Sequence, residues 1–179
     1  ALLMATARAF LRQRSVLPGT ISQVISDINR QLARDVVNSG SFMSMFYLII
    51  DKTNKKLKWV RAGHDPAIFF DPDTDNISEL RGVGMALGVD ENCRYEENIK
   101  QNLANGQIIV LGTDGVWEAR NLKGEMFGKN QIYTIIREKA SLDAESILNT
   151  IIESLTQFKG NVKIEDDVTL VVIKILPEF

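Results

Sequence analysis

The stretch Asn105–Asn121, which reads NGQIIVLGTDGVWEARN, decides the fold. Its Asn-Gly pair predicts a tight turn, and the apolar run after the turn predicts a short strand that is buried on both faces. That run stops at Thr113-Asp114-Gly115. A carboxylate therefore lies at the mouth of a core strand, beside a glycine that lets the backbone turn sharply or approach a ligand.

Asp114 has two interpretations at this point. A carboxylate next to a buried strand is costly unless something pairs with it, and a cation would satisfy it. Alternatively, Asp114 caps a helical turn that begins near Val116. The spacing of the residues does not decide between a metal ligand and a helix cap.

Composition excludes several function classes. The chain has 179 residues, enough for a single domain spanning 1–179 with a substantial core. Its net charge of -2 gives no basic field for nucleic acid or an anionic membrane, and no apolar run is long enough to span a bilayer. The single Cys93 fits a reducing cytosol and predicts a cytoplasmic protein. Because His64 is the only histidine, any metal site must be built from oxygen ligands.

Hydrophobic periodicity predicts an α+β protein. Thr20 and Gln23 form a capping box in front of an amphipathic helix, and a second clean apolar stripe predicts another helix over 144–158. The continuous apolar segment Phe42–Ile50 predicts a strand in the centre of a sheet, and Arg94–Lys100 predicts another strand. Strands joined by hairpins, with pairs of helices grouped apart from them, indicate an antiparallel sheet with helices on its outer faces.

A second acidic cluster, Glu165-Asp166-Asp167, directly precedes the final apolar strand. Two carboxylate clusters at the ends of core strands could converge on one cation, and oxygen ligands favour Mg²⁺ or Mn²⁺ over zinc or copper. The alternative is a solvated acidic turn, which is the commoner use of three consecutive acids. Spacing cannot show that Asp114 and Asp166 meet.

Three other motifs favour structural interpretations. The segment Asp71–Asp75 imitates the start of an EF-hand loop but has Asn76 in place of the sharp-turn glycine, so a hairpin turn is favoured. His64 is a candidate acid or phosphate donor, although a loop histidine bonded to the backbone is commoner. Cys93 has no basic neighbour except Arg94, and inert packing is its default role.

The motifs of the chain, taken together, are similar to those of one protein family. They are AGHDP at 62–66, GMALG at 84–88, LGTDGVWEARN at 111–121, GEMFG at 124–128 and DDVTLVV at 166–172. In this order and spacing the sequence resembles the bacterial metal-dependent protein phosphatases of the PPM, or protein phosphatase 2C, type. The resemblance is to the branch typified by stage II sporulation protein E and the sigma-factor regulatory phosphatases, and it covers essentially the whole chain.

The resemblance implies a β-sandwich flanked by helix pairs, with a dinuclear Mn²⁺ or Mg²⁺ centre at one end. Matched by motif, Asp114 and Asp166 resemble catalytic, metal-ligating aspartates, and Asp167 matches a more variable position with a lesser role. In this family a metal-activated water attacks the phosphorus of a phosphoserine or phosphothreonine. The implied partner is a phosphorylated protein, such as an anti-sigma-factor antagonist, and a dimer is a possible state.

The sequence departs from the family pattern at its start. The family carries further metal ligands in a Gly-Asp-x-x-x-Asp segment and a Gly-Asp-Val-x-Gly-His-Gly segment, and both are absent from these residues. The chain opens with the helix-forming segment Ala1–Phe10. We therefore expect an N-terminally truncated domain that lacks the first strands, has an incomplete metal site and exposes or covers its sheet edges.

These departures leave two functions to separate. The first is a phosphatase domain that is inactive, or nearly so, as residues 1–179 alone. The second is a non-catalytic interaction module with a degenerate phosphatase fold. A simple Ca²⁺-binding domain is a third possibility, which the failed loop at Asp71–Asp75 disfavours.

Overall fold

The computed structural model of the protein describes residues 2–162 and 166–177. Its helices and strands follow in the order α1 (Leu2–Ser15), α2 (Ile21–Val36), β1 (Met45–Asp51), β2 (Lys56–Ala62), β3 (Ala67–Asp71), β4 (Asn76–Leu80), β5 (Asn98–Lys100), β6 (Ile108–Gly112), α3 (Asp114–Trp117), α4 (Lys129–Lys139), α5 (Ala144–Lys159) and β7 (Leu170–Lys174). The contacts of the chain divide these elements between two compact units, Ala1–Pro66 with Arg81–Asn102 and Ala67–Leu80 with Leu103–Phe179.

The first unit is organised around helix α2. The predicted capping box begins this helix, because the Thr20 hydroxyl accepts from the Gln23 amide at 3.2 Å and the Gln23 carboxamide oxygen accepts from the Thr20 amide at 2.9 Å. Helix α2 buries its apolar stripe, and α1 buries only Ala7. The core of this unit consists of Ala7, Ile21, Val24, Ile25, Ile28, Leu32, Val60, Ala62, Leu87 and Tyr95.

The sheet of the first unit places β1 at an edge. Its three strands are antiparallel in the order β1-β2-β5, so the prediction that this apolar strand is central is wrong for the part of the chain described here. The physical reason is that apolar side chains report the burial of the two faces of a strand and not the pairing of its edges. Even the faces are only partly buried, since Ile49 remains 38% exposed.

Strand β5 is shorter than the predicted segment Arg94–Lys100, because the residues before it are engaged elsewhere. The buried Tyr95 hydroxyl donates to the Met85 carbonyl at 3.1 Å, and burial raises the Tyr95 pKa. The Glu97 carboxylate accepts from the Ile21 amide at 3.1 Å and from the Lys58 ammonium at 3.0 Å. Only the three residues from Asn98 to Lys100 therefore join the ladder with β2.

The second unit contains a four-stranded antiparallel sheet in the order β4-β3-β6-β7, with α4 and α5. Strands β3 and β4 form the hairpin that the sequence favoured over a calcium loop. Asp143 begins α5 by accepting from the Ser146 amide at 2.7 Å, and this bond lowers the Asp143 pKa. The core consists of Ile68, Phe70, Ile108, Val110, Val116, Trp117, Phe127, Ile132, Ile135, Ile136, Ile147, Ile151 and Leu155.

These observations confirm the α+β class and the antiparallel pairing. Each unit combines one antiparallel sheet with a pair of longer helices, α1 with α2 and α4 with α5. The sandwich arrangement and the single domain remain predictions.

Replacing Asn29 by alanine tests how much one buried polar side chain contributes to the stability of the first unit. Asn29 lies in α2 and is fully buried. Its side chain donates to the Asp90 carbonyl at 2.7 Å and accepts from the Gly88 amide at 2.9 Å. Alanine would leave both backbone groups without that partner, so we expect the free energy of unfolding to fall by about 2–4 kcal/mol. Denaturant titration measures this loss, and the exposed Asn38→Ala variant is the control. Equal stability of the two variants would contradict the prediction.

Candidate metal site

The first half of the site is the end of strand β6. Ile108, Ile109 and Val110 are at most 1% exposed, so the first three residues of β6 are anchored in the interior. Thr113 then adopts an extended conformation as the N-cap of the one-turn helix α3. Asp114 is the first residue of that turn, and its side chain is exposed. The carboxylate of Asp114 accepts from the Gly115 amide at 3.0 Å and presents its oxygens to solvent.

Buried side chains of helix α3 anchor it in the core of the second unit. Val116 is fully buried and Trp117 is 7% exposed, with the Lys129 ammonium 4.7 Å from the centre of the indole ring. The Trp117 carbonyl accepts from the Gly128 amide at 2.8 Å. These contacts fix the backbone that carries Asp114.

The second half of the site is the approach to strand β7. Strands β6 and β7 are antiparallel, and Gly112, the last residue of β6, pairs with Leu170, the first residue of β7. Residues 166–169 therefore lie at the same end of the sheet as Thr113 and Asp114. The Thr113 amide extends the ladder past this pair by donating to the Thr169 carbonyl at 3.1 Å.

A glycine lets the two segments approach closely. A Cβ atom placed on Gly115 would lie 2.7 Å from the Asp167 carbonyl oxygen and 3.3 Å from the Asp166 carbonyl oxygen. Both neighbours are backbone atoms, which cannot rotate away as a side chain could. The glycine is required here because a second backbone segment occupies the space of its side chain.

The structure thus brings the backbones of Asp114, Asp166 and Asp167 to one end of a sheet, and all three side chains are exposed. Glu165, the first acid of the predicted cluster, lies outside the described residues. The competing interpretation, in which Asp114 caps a helical turn, agrees with the structure in the presence of the turn but not in the residue that caps it. Thr113 occupies the N-cap position, and Asp114 accepts from the amide of its immediate neighbour.

The chemistry of this donor set suits a hard divalent cation, although the set is small. Carboxylate oxygens are the ligands that Mg²⁺ and Mn²⁺ accept. Within residues 2–162 and 166–177, however, no three His, Cys, Asp or Glu side chains are grouped so that they could hold a metal ion. The residues present therefore fit such a cation in kind but could form only part of a coordination shell.

Sequence reasoning missed the main contact between the two segments, the Thr113 hydroxyl. This hydroxyl donates to the Asp167 carbonyl at 2.9 Å and accepts from the Thr169 amide at 3.0 Å. The available signal was a hydroxyl residue directly before Asp114, between a strand and a helical turn. Gly115 was interpreted as a place for ligand approach, whereas the approaching group is another part of the chain.

The other candidate residues have structural contacts. His64, which belongs to the first unit, has its Nδ1 3.0 Å from the Asp65 carbonyl oxygen, as the favoured interpretation predicted. Its ring packs edge-on against Phe46, with the ring centroids 6.4 Å apart. Cys93 is partly buried against the core of the first unit.

No helix among the described residues is both long and apolar enough to cross a membrane.

The sequence model of the family described as stage II sporulation protein E (SpoIIE) matches residues 1–176 of the chain. Among known proteins, the phosphoserine phosphatase RsbU of Bacillus subtilis (strain 168) is 28% identical over 153 residues. That match covers 86% of this chain and 44% of RsbU, so the chain spans less than half of its relative.

Two solved structures illustrate the likeness of the fold. The SiaA-PP2C domain of Pseudomonas aeruginosa matches with a TM-score of 0.84 at 19% identity, over 98% of this chain and 70% of that one. The Mn-presoaked phosphatase domain of SpoIIE from Bacillus subtilis matches with a TM-score of 0.60 at 20% identity, over 96% of this chain and 74% of that one. At these identities the matches show a shared fold.

Proposed function

Because the chain belongs to the SpoIIE family of phosphatase domains, we propose that it forms one metal-dependent protein-serine/threonine phosphatase domain of a bacterial regulator. The proposed reaction is the hydrolysis of phosphoserine or phosphothreonine in a protein substrate. The observation that carries the proposal is the pairing of Gly112 with Leu170, which supports an acidic site shared by the ends of β6 and β7. The similarity to a protein named phosphoserine phosphatase supports the same chemistry.

In this proposal Asp114 and Asp166 hold Mn²⁺ or Mg²⁺, and Asp167 has a lesser role. A cation held there would lower the pKa of a coordinated water and would neutralise phosphoryl oxygens during in-line displacement. Asp114 is suited to this task because α3 fixes its backbone while its carboxylate stays exposed. The exposure of all three acids leaves room for a phosphorylated segment of another protein.

The proposed substrate is a phosphorylated anti-sigma-factor antagonist or a similar small regulator. The support is the family resemblance, together with a matched Mycobacterium tuberculosis structure described as containing RsbU and RsbW domains. An exposed, two-segment acidic end suits a folded protein carrying one phosphoserine better than it suits a small metabolite, which would require an enclosing pocket.

The second candidate function is a non-catalytic interaction module. The observation that favours it is that no group of three potential ligands occurs in the part of the chain that the structure describes. Against it, three exposed acids lie at the end of one sheet, and a site that binds no cation has no physical need for them there. We therefore favour the phosphatase and infer that residues 1–179 alone supply only part of its metal shell.

The test compares residues 1–179 with the product of the complete gene in an assay with p-nitrophenyl phosphate and Mn²⁺. We expect turnover by the complete product and a rate at least about 100-fold lower for residues 1–179, because loss of metal ligands costs more than loss of their outer partners. Comparable rates would contradict the partial shell. A complete product that binds Mn²⁺ without turnover would favour the interaction module.

A further inference from the structure

The hydroxyl group of Thr113 joins two segments that lie 54 positions apart in the sequence. It donates its proton to the Asp167 carbonyl at 2.9 Å and accepts the Thr169 amide proton at 3.0 Å. A threonine hydroxyl has one proton to donate and lone pairs to accept, so this side chain is used in both directions. With the bond from the Thr113 amide to the Thr169 carbonyl, one residue makes three hydrogen bonds to the second segment.

These bonds continue the β6–β7 ladder by one further step, in which a side chain takes the place of a backbone group. The regular ladder ends at Gly112 and Leu170, where Thr113 turns away to begin α3. Past this pair the Thr113 amide still donates to the Thr169 carbonyl, but the Thr113 carbonyl accepts from the Val116 amide, so the Thr113 hydroxyl accepts the Thr169 amide in its place. The backbone of Asp167 is therefore tied to β6 although it lies outside strand β7.

Asp114 follows Thr113 directly, and Asp166 precedes the carbonyl that the hydroxyl holds. Gly115 adds a steric limit, since a Cβ atom there would lie 2.7 Å from the same Asp167 carbonyl oxygen. The position of this carbonyl thus depends on the Thr113 hydroxyl and on the absence of a side chain at Gly115. A change at Thr113 would alter the spacing of the acids without removing any of them.

We propose that Thr113 is a positioning residue whose hydroxyl sets the spacing between Asp114 and the Asp166–Asp167 segment, and thereby the affinity of this end of the sheet for a divalent cation. This inference rests on the proposed function, because it assumes that these acids bind the metal. It goes further in assigning the spacing to a side chain that binds no metal itself.

Three variants separate positioning from a general loss of stability. Thr113→Val keeps the shape and removes the hydroxyl, and Thr113→Ser keeps the hydroxyl. Thr150→Val is the matched control, because the Thr150 hydroxyl donates to the Ser146 carbonyl at 2.8 Å within α5. Each protein is studied as residues 1–179 and as the product of the complete gene.

Two measurements are made on each variant. Mn²⁺ titration followed by electron paramagnetic resonance gives the dissociation constant. For Thr113→Val we expect a rise of about 10–100-fold, the range found when an outer partner of a metal ligand is lost. Thr113→Ser and Thr150→Val should bind Mn²⁺ as the unmodified protein does. Without metal, hydrogen exchange of the Thr169 amide should be at least about tenfold faster in Thr113→Val.

Unchanged Mn²⁺ affinity in Thr113→Val would overturn the inference, and so would equal weakening by valine and serine, since serine retains the hydroxyl. Unchanged exchange of the Thr169 amide would show that the hydroxyl does not hold the loop. Failure of the proposed function has a different signature, namely that the unmodified complete product does not bind Mn²⁺ at all.

Discussion

An Asp114→Asn protein is expected to retain its fold and to lose phosphatase activity by at least about 100-fold. Asparagine has the same shape, and its carboxamide oxygen can still accept the Gly115 amide, which lies 3.0 Å from the Asp114 carboxylate. What it lacks is the negative charge, which makes a carboxylate a stronger ligand for a hard cation than a neutral amide oxygen. A ligand should cost more than the 10–100-fold typical of groups that only support ligands, hence roughly 100-fold as the lower limit.

Melting temperatures with and without Mn²⁺ separate loss of metal binding from loss of folding. Because Asp114 is exposed and asparagine can keep the bond to the Gly115 amide, the melting temperature without metal should be unchanged. The increase in melting temperature that saturating Mn²⁺ gives the unmodified protein should be absent from the variant. Activity is measured in the complete gene product, and thermal melts with and without Mn²⁺ are recorded for both forms.

Asp73→Asn is the matched control. Asp73 is exposed in the turn between β3 and β4, and the pairing of Phe70 with Ile108 places this turn at the opposite end of the sheet from Asp114. The control should keep both activity and the response to Mn²⁺. Full activity in Asp114→Asn would remove Asp114 from the proposed metal site.

Replacing Gly115 by alanine is expected to cause the second large effect, by displacing the acidic loop. The new methyl carbon would lie 2.7 Å from the Asp167 carbonyl oxygen and 3.2 Å from its carbonyl carbon, so the backbone must move. Overpacking of this kind typically costs about 1–3 kcal/mol. The larger consequence is for the site, because separating Asp166 and Asp167 from Asp114 should weaken Mn²⁺ binding at least about tenfold.

Gly124→Ala is the control for this variant. Gly124 has a φ of +79°, and a Cβ there meets nothing within 4 Å, so alanine introduces backbone strain of about 1–2 kcal/mol without displacing a neighbour. We expect similar stability losses in the two variants and weaker Mn²⁺ binding only in Gly115→Ala. Melting temperatures and Mn²⁺ dissociation constants measure both effects. Equal Mn²⁺ affinities would contradict the role of the close approach.

Much of the fold could be predicted because local patterns determine it. The Thr20–Gln23 capping box and the apolar stripe of α2 depend on spacing within one helix, and the structure contains both. The Asn105-Gly106 turn and strand β6 follow from the same local rules. Strand pairing was harder, as β1 shows, because a sequence of apolar residues does not specify which edges find partners.

The candidate site could be predicted by residue but not by contact. Asp114 and Asp166 were indicated by their positions at the ends of apolar strands, and their acidity is visible in the sequence. The two Thr113 hydroxyl bonds span 54 and 56 positions, the Gly115 approach joins the same two segments, and no local pattern encodes such a pairing. The roles of Thr113 and Gly115 could be inferred only once the antiparallel register of β6 and β7 was known.

The 54 positions between Thr113 and Asp167 also have a consequence for synthesis. A ribosome that adds about 5–20 residues per second needs about 3–10 s to pass from one to the other. During that interval the nascent polypeptide carries Asp114 without the Asp166–Asp167 segment. Under the proposed function, this end of the sheet could therefore bind a cation only after translation has delivered the residues that lead into β7.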